Sequence, residues 1–192
     1  PCSPGTWQDQ SGQTICTDAY PGYYVPDNAS TSQTPCSPGY YNDLSASSDS
    51  SDCITASPGF YVSQEGQSSQ TPCGAGEYSN LSGATNCSET QAGYYSNSTH
   101  QIPCTPGTWQ NQSGQAECNP AQPGFYSSAS GSTNQTACSP GTWQGQPNQT
   151  SCIDASPGHY TNSSEQAAKA ISKVRNSFAP LATNLKPVLK KI

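Results

Sequence analysis

The residues of this 192-residue chain whose type and spacing point to chemistry are its ten cysteines. They run Cys2, Cys16, Cys36, Cys53, Cys73, Cys87, Cys104, Cys118, Cys138 and Cys152. An even number at regular spacing, with none of the Cys-x-x-Cys pairs that zinc sites use, reads as a disulfide framework made in an oxidising compartment. Asparagine carries a second chemistry. Eight of the twelve asparagines open an Asn-x-Ser/Thr sequon: Asn28, Asn80, Asn86, Asn97, Asn111, Asn134, Asn148 and Asn162. Chance in so Ser- and Thr-rich a chain supplies about three, so N-linked glycans on a secreted surface are expected.

Other reactive side chains are sparse. The two histidines, His100 and His159, stand in unrelated contexts, and neither is flanked by the nucleophile and orienting acid that a catalytic triad needs. Asp43, Asp49 and Asp52 bracket one stretch but lack EF-hand spacing, so solvated carboxylates are expected there rather than a calcium site. The sequence therefore points to no enzyme, no metal and no cofactor. Nucleic acid is not an expected partner either, because no Lys or Arg precedes Lys169 to neutralise phosphates.

The elements that position the cysteines come from a repeat. Ten glycines, Gly5, Gly22, Gly39, Gly59, Gly76, Gly93, Gly107, Gly124, Gly141 and Gly158, each carry an aromatic residue two positions later, and seven of the nine steps between them are 17 residues long. Most follow proline, and Pro-Gly sets a type II turn: proline presets φ and glycine takes the positive φ that follows. Each glycine thus marks a rung made of a turn and a short hairpin. Gly39 to Gly59 is three residues longer than the period and Gly93 to Gly107 three shorter, which predicts a loop over residues 44–52. Fifteen of the seventeen aromatics occupy the two positions after a rung glycine, so they are expected to stack into a thin apolar spine.

Cysteine opens and closes the odd rungs, whereas even rungs open with Ala or Thr. Two pairings follow. Joining Cys2 to Cys16, Cys36 to Cys53, Cys73 to Cys87, Cys104 to Cys118 and Cys138 to Cys152 uses every cysteine. Joining across even rungs, Cys16 to Cys36 onward, strands Cys2 and Cys152. The within-rung scheme is favoured, and each bridge, closing a loop of about 15 residues, is worth about 3 kcal/mol in the chain-entropy model.

With Cys-x-Pro-Gly followed by Thr-Trp or Tyr-Tyr and then a second cysteine, residues 1–160 resemble the ephrin-receptor-like cysteine-rich repeats of long extracellular proteins. More distantly, they are similar to the first half-module of tumour-necrosis-factor-receptor cysteine-rich domains. The resemblance implies an elongated, hairpin-based rod with local disulfides and no catalytic residues, although alternate rungs here lack cysteine.

Composition changes near residue 164. All six basic residues, Lys169, Lys173, Arg175, Lys186, Lys190 and Lys191, lie in the tail, whose only acid is Glu165, so the tail is formally +5 and the eleven acids before it make the rod −11. Ser163-Ser-Glu-Gln166 matches a capping box, and Ala167, Ala170, Ile171, Val174 and Phe178 follow at helical spacing, which predicts a helix over 164–178. No apolar run approaches the roughly 20 residues needed to cross a bilayer. Absence of methionine suggests a processed form or a fragment, any signal peptide having been removed.

The expected architecture is a small disulfide-rich, mainly β rod of ten rungs over residues 1–163, with a basic amphipathic helical tail over 164–192. The expected role is a glycosylated extracellular structural protein, a subunit of a filament, sheath, stalk or other appendage; the alternative is an adhesin or receptor ectodomain in which the rod is a spacer. Expected partners are other copies of the chain or an acidic surface, reached through Ile171, Val174, Phe178, Lys169, Lys173 and Arg175 of the tail.

Overall fold

A computed structural model describes residues 1–157, 159–160 and 171–172. Ten two-stranded antiparallel hairpins follow one another along the chain, one per rung. The first five pair Thr6–Trp7 with Thr17–Asp18, Tyr23–Tyr24 with Thr34–Pro35, Tyr40–Tyr41 with Ile54–Thr55, Phe60–Tyr61 with Thr71–Pro72, and Glu77–Tyr78 with Ser88–Glu89. The next four pair Tyr94–Ser96 with Gln101–Pro103, Thr108–Trp109 with Asn119–Pro120, Phe125–Tyr126 with Thr136–Ala137, and Thr142–Trp143 with Ile153–Asp154. The tenth pairs His159–Tyr160 with Ile171–Ser172.

Most hairpins are launched by a Pro-Gly turn. In rung 3 the Tyr40 N–H donates to the Ser37 carbonyl at 3.0 Å and Gly39 has φ +87°, the type II geometry that the sequence implies. The two rungs that replace proline with alanine keep it: Gly76 and Gly93 have φ +79° and +86°. Glycine is required here for a second reason. A Cβ on Gly39 would fall 2.5 Å from the Gly83 carbonyl oxygen, two rungs further on.

Successive rungs are joined by three backbone hydrogen bonds. Between rungs 1 and 2, the Gly5 N–H donates to Val25, the Gln8 N–H donates to Ser30, and the Ala29 N–H donates back to Cys2, at 2.8–3.1 Å. The same three bonds recur between rungs 2 and 3, 3 and 4, 4 and 5, 7 and 8, and 8 and 9. Rung 6 is the short one. There the Thr90 hydroxyl, buried where other even rungs carry alanine, both donates to the Gln115 carbonyl and accepts from the Gln115 N–H.

Van der Waals contact reaches one rung further. Gly5 lies against Ala46, Gly39 against Gly83, Gly76 against Gly114 and Gly107 against Asn148, which links rungs 1, 3, 5, 7 and 9. Gly22 against Gly66, Gly59 against Ser98 and Gly93 against Gly131 link rungs 2, 4, 6 and 8. The molecule is thus a rod of repeated hairpins in two interleaved columns, odd rungs stacked on odd and even on even.

The core differs from the expected aromatic spine. Among the described residues the fully buried side chains are those three before the rung glycine, such as Cys36, Ala56 and Cys104, and those three after it, such as Val25, Asn42 and Val62. The aromatic rings are mostly half-buried, and among the described residues only Trp7 and Tyr20 meet as a ring pair, edge to face at 6.4 Å. The reason is strand length. Most strands end two residues after the glycine, the chain bends, and the third residue swings inward to carry the inter-rung bonds. Rings pack instead on backbone turns: a Cβ on Gly66 would lie 2.7 Å from the Tyr23 hydroxyl.

Of the expected helix over 164–178, only Ile171–Ser172 are described, and they are extended. Ile171–Ser172 form the returning strand of rung 10, because they fall 13 and 14 residues after Gly158, close to where Thr17–Asp18 return 12 and 13 after Gly5. The remainder of that segment, with Lys169, Lys173, Val174, Arg175 and Phe178, lies outside the described residues.

Candidate functional site

Five disulfides join Cys2–Cys16, Cys36–Cys53, Cys73–Cys87, Cys104–Cys118 and Cys138–Cys152, each with Cα atoms 5.7 Å apart. All five lie in the odd column. In every pair the opening cysteine is buried and the closing one half-buried, so the bridge ties the core to the rim of its own rung.

Even rungs carry a different staple. At the closing position rungs 2, 4, 6 and 8 place glutamine, and its side-chain carbonyl accepts from the backbone N–H just after the rung's opening residue. Gln33 holds Tyr20 at 2.9 Å, Gln70 holds Ser57 at 2.7 Å, Gln101 holds Gln91 at 3.2 Å and Gln135 holds Gln122 at 2.7 Å. Cysteine spacing alone did not reveal this. The signal was present as glutamine eleven residues after Gly22, Gly59 and Gly124, the spacing at which Cys16, Cys87, Cys118 and Cys152 follow their own rung glycines.

A second glycine position was also missed. Seven residues after the rung glycine the chain again takes positive φ, at Gly12, Gly66, Gly83, Gly114 and Gly131, and also at Ala29, Ala46 and Asn148. These turns supply the carbonyls that press on the glycine two rungs back.

The acidic loop of rung 3 has a structural explanation. Ser50–Asp52 form a single 3-10 turn whose N-cap, Asp49, accepts from the Ser51 N–H at 2.8 Å, while Asp52 accepts from Ser48 and Asp49. The hydrogen bond from the Ser51 backbone, reinforced by the Ser51 hydroxyl, holds the Asp49 carboxyl below its usual range. Asn42 anchors the loop from inside: its amide donates to Tyr23 and Ser47, and its carbonyl accepts from Leu44. Among the described residues no three His, Cys, Asp or Glu side chains gather to hold a metal. His100 is exposed, its Nδ1 beside the Thr99 hydroxyl at 3.0 Å.

The sequon asparagines Asn28, Asn80, Asn86, Asn97, Asn111, Asn134 and Asn148 are all exposed; Asn162 lies outside the described residues. An unbroken strand would point a residue four after the glycine the same way as the ring two after it. Because the chain bends between them, Asn80 and Asn111 face solvent while Ser79 and Gln110 before them are buried.

A cysteine-bridged Pro-Gly hairpin, flanked by cysteine-free rungs and coupled to both, occupies residues 93–138. Residues 93–138 match the family described as tyrosine-protein kinase ephrin type A/B receptor-like. The matched span holds the Cys104–Cys118 bridge of rung 7 and ends on Cys138. No curated protein matches the chain. The three-bond joint between rungs 7 and 8, within the matched residues, also joins rungs 1 to 5 and rungs 8 and 9. Five disulfides and this match are the features of an extracellular cysteine-rich repeat. Among the described residues no helix is long and apolar enough to cross a membrane.

Proposed function

We propose that the chain is a glycosylated structural rod of the cell exterior, a spacer that fixes the distance and orientation of what it joins, with no catalytic role of its own. The observation that carries this reading is the recurring joint: outside rung 6, three backbone hydrogen bonds to the next rung and a glycine-to-turn contact to the one after. A chain coupled to two neighbours at every step resists bending, whereas flexible linkers have no such contacts. The hollows of the surface are lined by rung loops, like the space of about 280 Å3 beside Gln8, Ile15 and Ala29 and that of about 460 Å3 beside Tyr95 and Thr108. Exposed sequons supply the places for glycans.

A related reading, a subunit of a filament or sheath, is favoured by the segregation of eleven acids in the rod from six basic residues in the tail. The two readings differ in whether copies associate. The rod itself is tested by small-angle scattering on the full chain: a radius of gyration near the compact value for this length, about 16 Å, would refute it, and a clearly larger one with a rod-like cross-section is expected. Intact mass before and after enzymatic deglycosylation tests the glycans.

A further inference from the structure

The large apolar side chains that the rod leaves exposed are unevenly placed. Of seven among the described residues, Ile15, Tyr40, Leu44 and Ile54 belong to rungs 1 and 3, which stack directly on each other through Gly5 and Ala46, while Tyr20, Leu81 and Ile153 are spread over rungs 2, 5 and 9. Sequons are placed in the opposite sense. Rungs 5 to 9 carry six of them, Asn80 to Asn148, whereas rungs 1 and 3 carry none; the nearest, Asn28, belongs to rung 2, whose Ala29 and Ser30 border the hollow beside Ile15. Leu44 and Leu81 make the contrast sharp. Both stand five residues after a rung glycine, at 60% and 66% exposure, but Leu81 sits between Asn80 and Asn86 while Leu44 sits beside Asp43.

We propose that rungs 1 and 3, which carry no sequon of their own, form a docking face centred on Leu44 and Ile54 that takes residues 173–192 of a second copy of this chain. This rests on the reading of the chain as a glycosylated rod and names its partner. The face is apolar and acidic, with exposed Asp43 and Asp49 around Leu44 and Ile54, and the described residues include neither Lys nor Arg. Residues 173–192 are the complement: Lys173, Arg175, Lys186, Lys190 and Lys191 alternate with Leu181, Leu185, Val188, Leu189 and Ile192, and no acid is among them. Apolar burial supplies affinity, and opposite charge supplies steering and register. A second copy suits the geometry better than the same molecule, in which this segment would have to run back from rung 10 past the sequons of rungs 5 to 9.

The test is sedimentation velocity on the glycosylated full chain over a range of concentrations at low and high salt. Reversible association is expected, weakened by salt as screened charges require. Leu44→Glu and Ile54→Glu, both at exposed positions, should each weaken it about tenfold or more by setting a charge in an apolar contact, and so should combined Lys186→Glu, Lys190→Glu and Lys191→Glu. Leu81→Glu should leave it unchanged. A chain that stays monomeric at low salt, a Leu81→Glu effect equal to that of Leu44→Glu, or association indifferent to the tail charges would overturn the proposal. Intact mass on the same samples reads glycan occupancy and disulfide content, so a bare Asn80 would count against the glycosylated rod separately from the docking face.

Discussion

At Gly39 two requirements coincide, a left-handed backbone and a neighbour too close for any side chain. Gly12 shares only the first: its φ is +79°, and nothing lies within 4 Å of where a Cβ would stand. Gly12→Ala should therefore cost only the roughly 1–2 kcal/mol of a left-handed alanine. Gly39→Ala should cost clearly more, because the Gly83 carbonyl belongs to backbone that two rungs of hydrogen bonds hold in place. Chemical denaturation of both variants with disulfides intact checks the order, and equal losses would mean that rungs 3 and 5 are not in contact. Asp49 offers a pH prediction. Its folded pKa is depressed, so its contribution to the rung 3 turn is present above the ordinary carboxylate range and disappears as pH falls through the lowered value. Amide exchange at Ser51 should speed up under acid by more than the intrinsic pH dependence allows, and Asp49→Asn should abolish that excess.

Within a rung, the glutamine clamp and the disulfide do one job with different strengths. A hydrogen bond of this kind is worth about 1 kcal/mol net, so Gln70→Leu should loosen rung 4 by about that amount. Replacing both ends, Ala56→Cys with Gln70→Cys, should instead form a sixth bridge and add about 3 kcal/mol. The checks are a mass lower by two hydrogens and a raised unfolding midpoint; free thiols under oxidising conditions would show that the columns are not equivalent. The same comparison shows what sequence could and could not tell. Period, turn and hairpin were legible because Pro-Gly and the following aromatic repeat almost without exception. Glutamines at Gln33, Gln70 and Gln135 were equally regular but went unread, since glutamine is common in this chain and carries no covalent signature. The buried column was hidden more deeply. Its members include Val25, Asn42, Ser79 and Gln110, which share no polarity, and only the bend after a two-residue strand makes that position interior. The helical spacing of Ile171 misled because the same residue also fits a returning strand.

For the whole molecule, cross-links outweigh core. Five bridges at about 3 kcal/mol each equal or exceed the net stability of an ordinary domain, about 5–15 kcal/mol, while the buried side chains are mostly small. Reduction and alkylation of all ten cysteines should therefore abolish the rod, read as loss of its near-ultraviolet signal and expansion in scattering; survival of the rod would mean that the inter-rung bonds alone suffice. Alternation of staples has a mechanical side as well. Under tension along the chain, the residues inside a disulfide loop cannot lengthen. Only the stretches between one bridge and the next can: Cys16 to Cys36, Cys53 to Cys73 and Cys118 to Cys138, each 20 residues by subtraction, and the shorter Cys87 to Cys104. Each contains a glutamine-clamped rung, so a pulled molecule should yield at the even rungs one after another, in steps of at most about 70 Å of extended chain, while the odd rungs stay shut. A rod built this way stretches before it breaks and has the means to recoil.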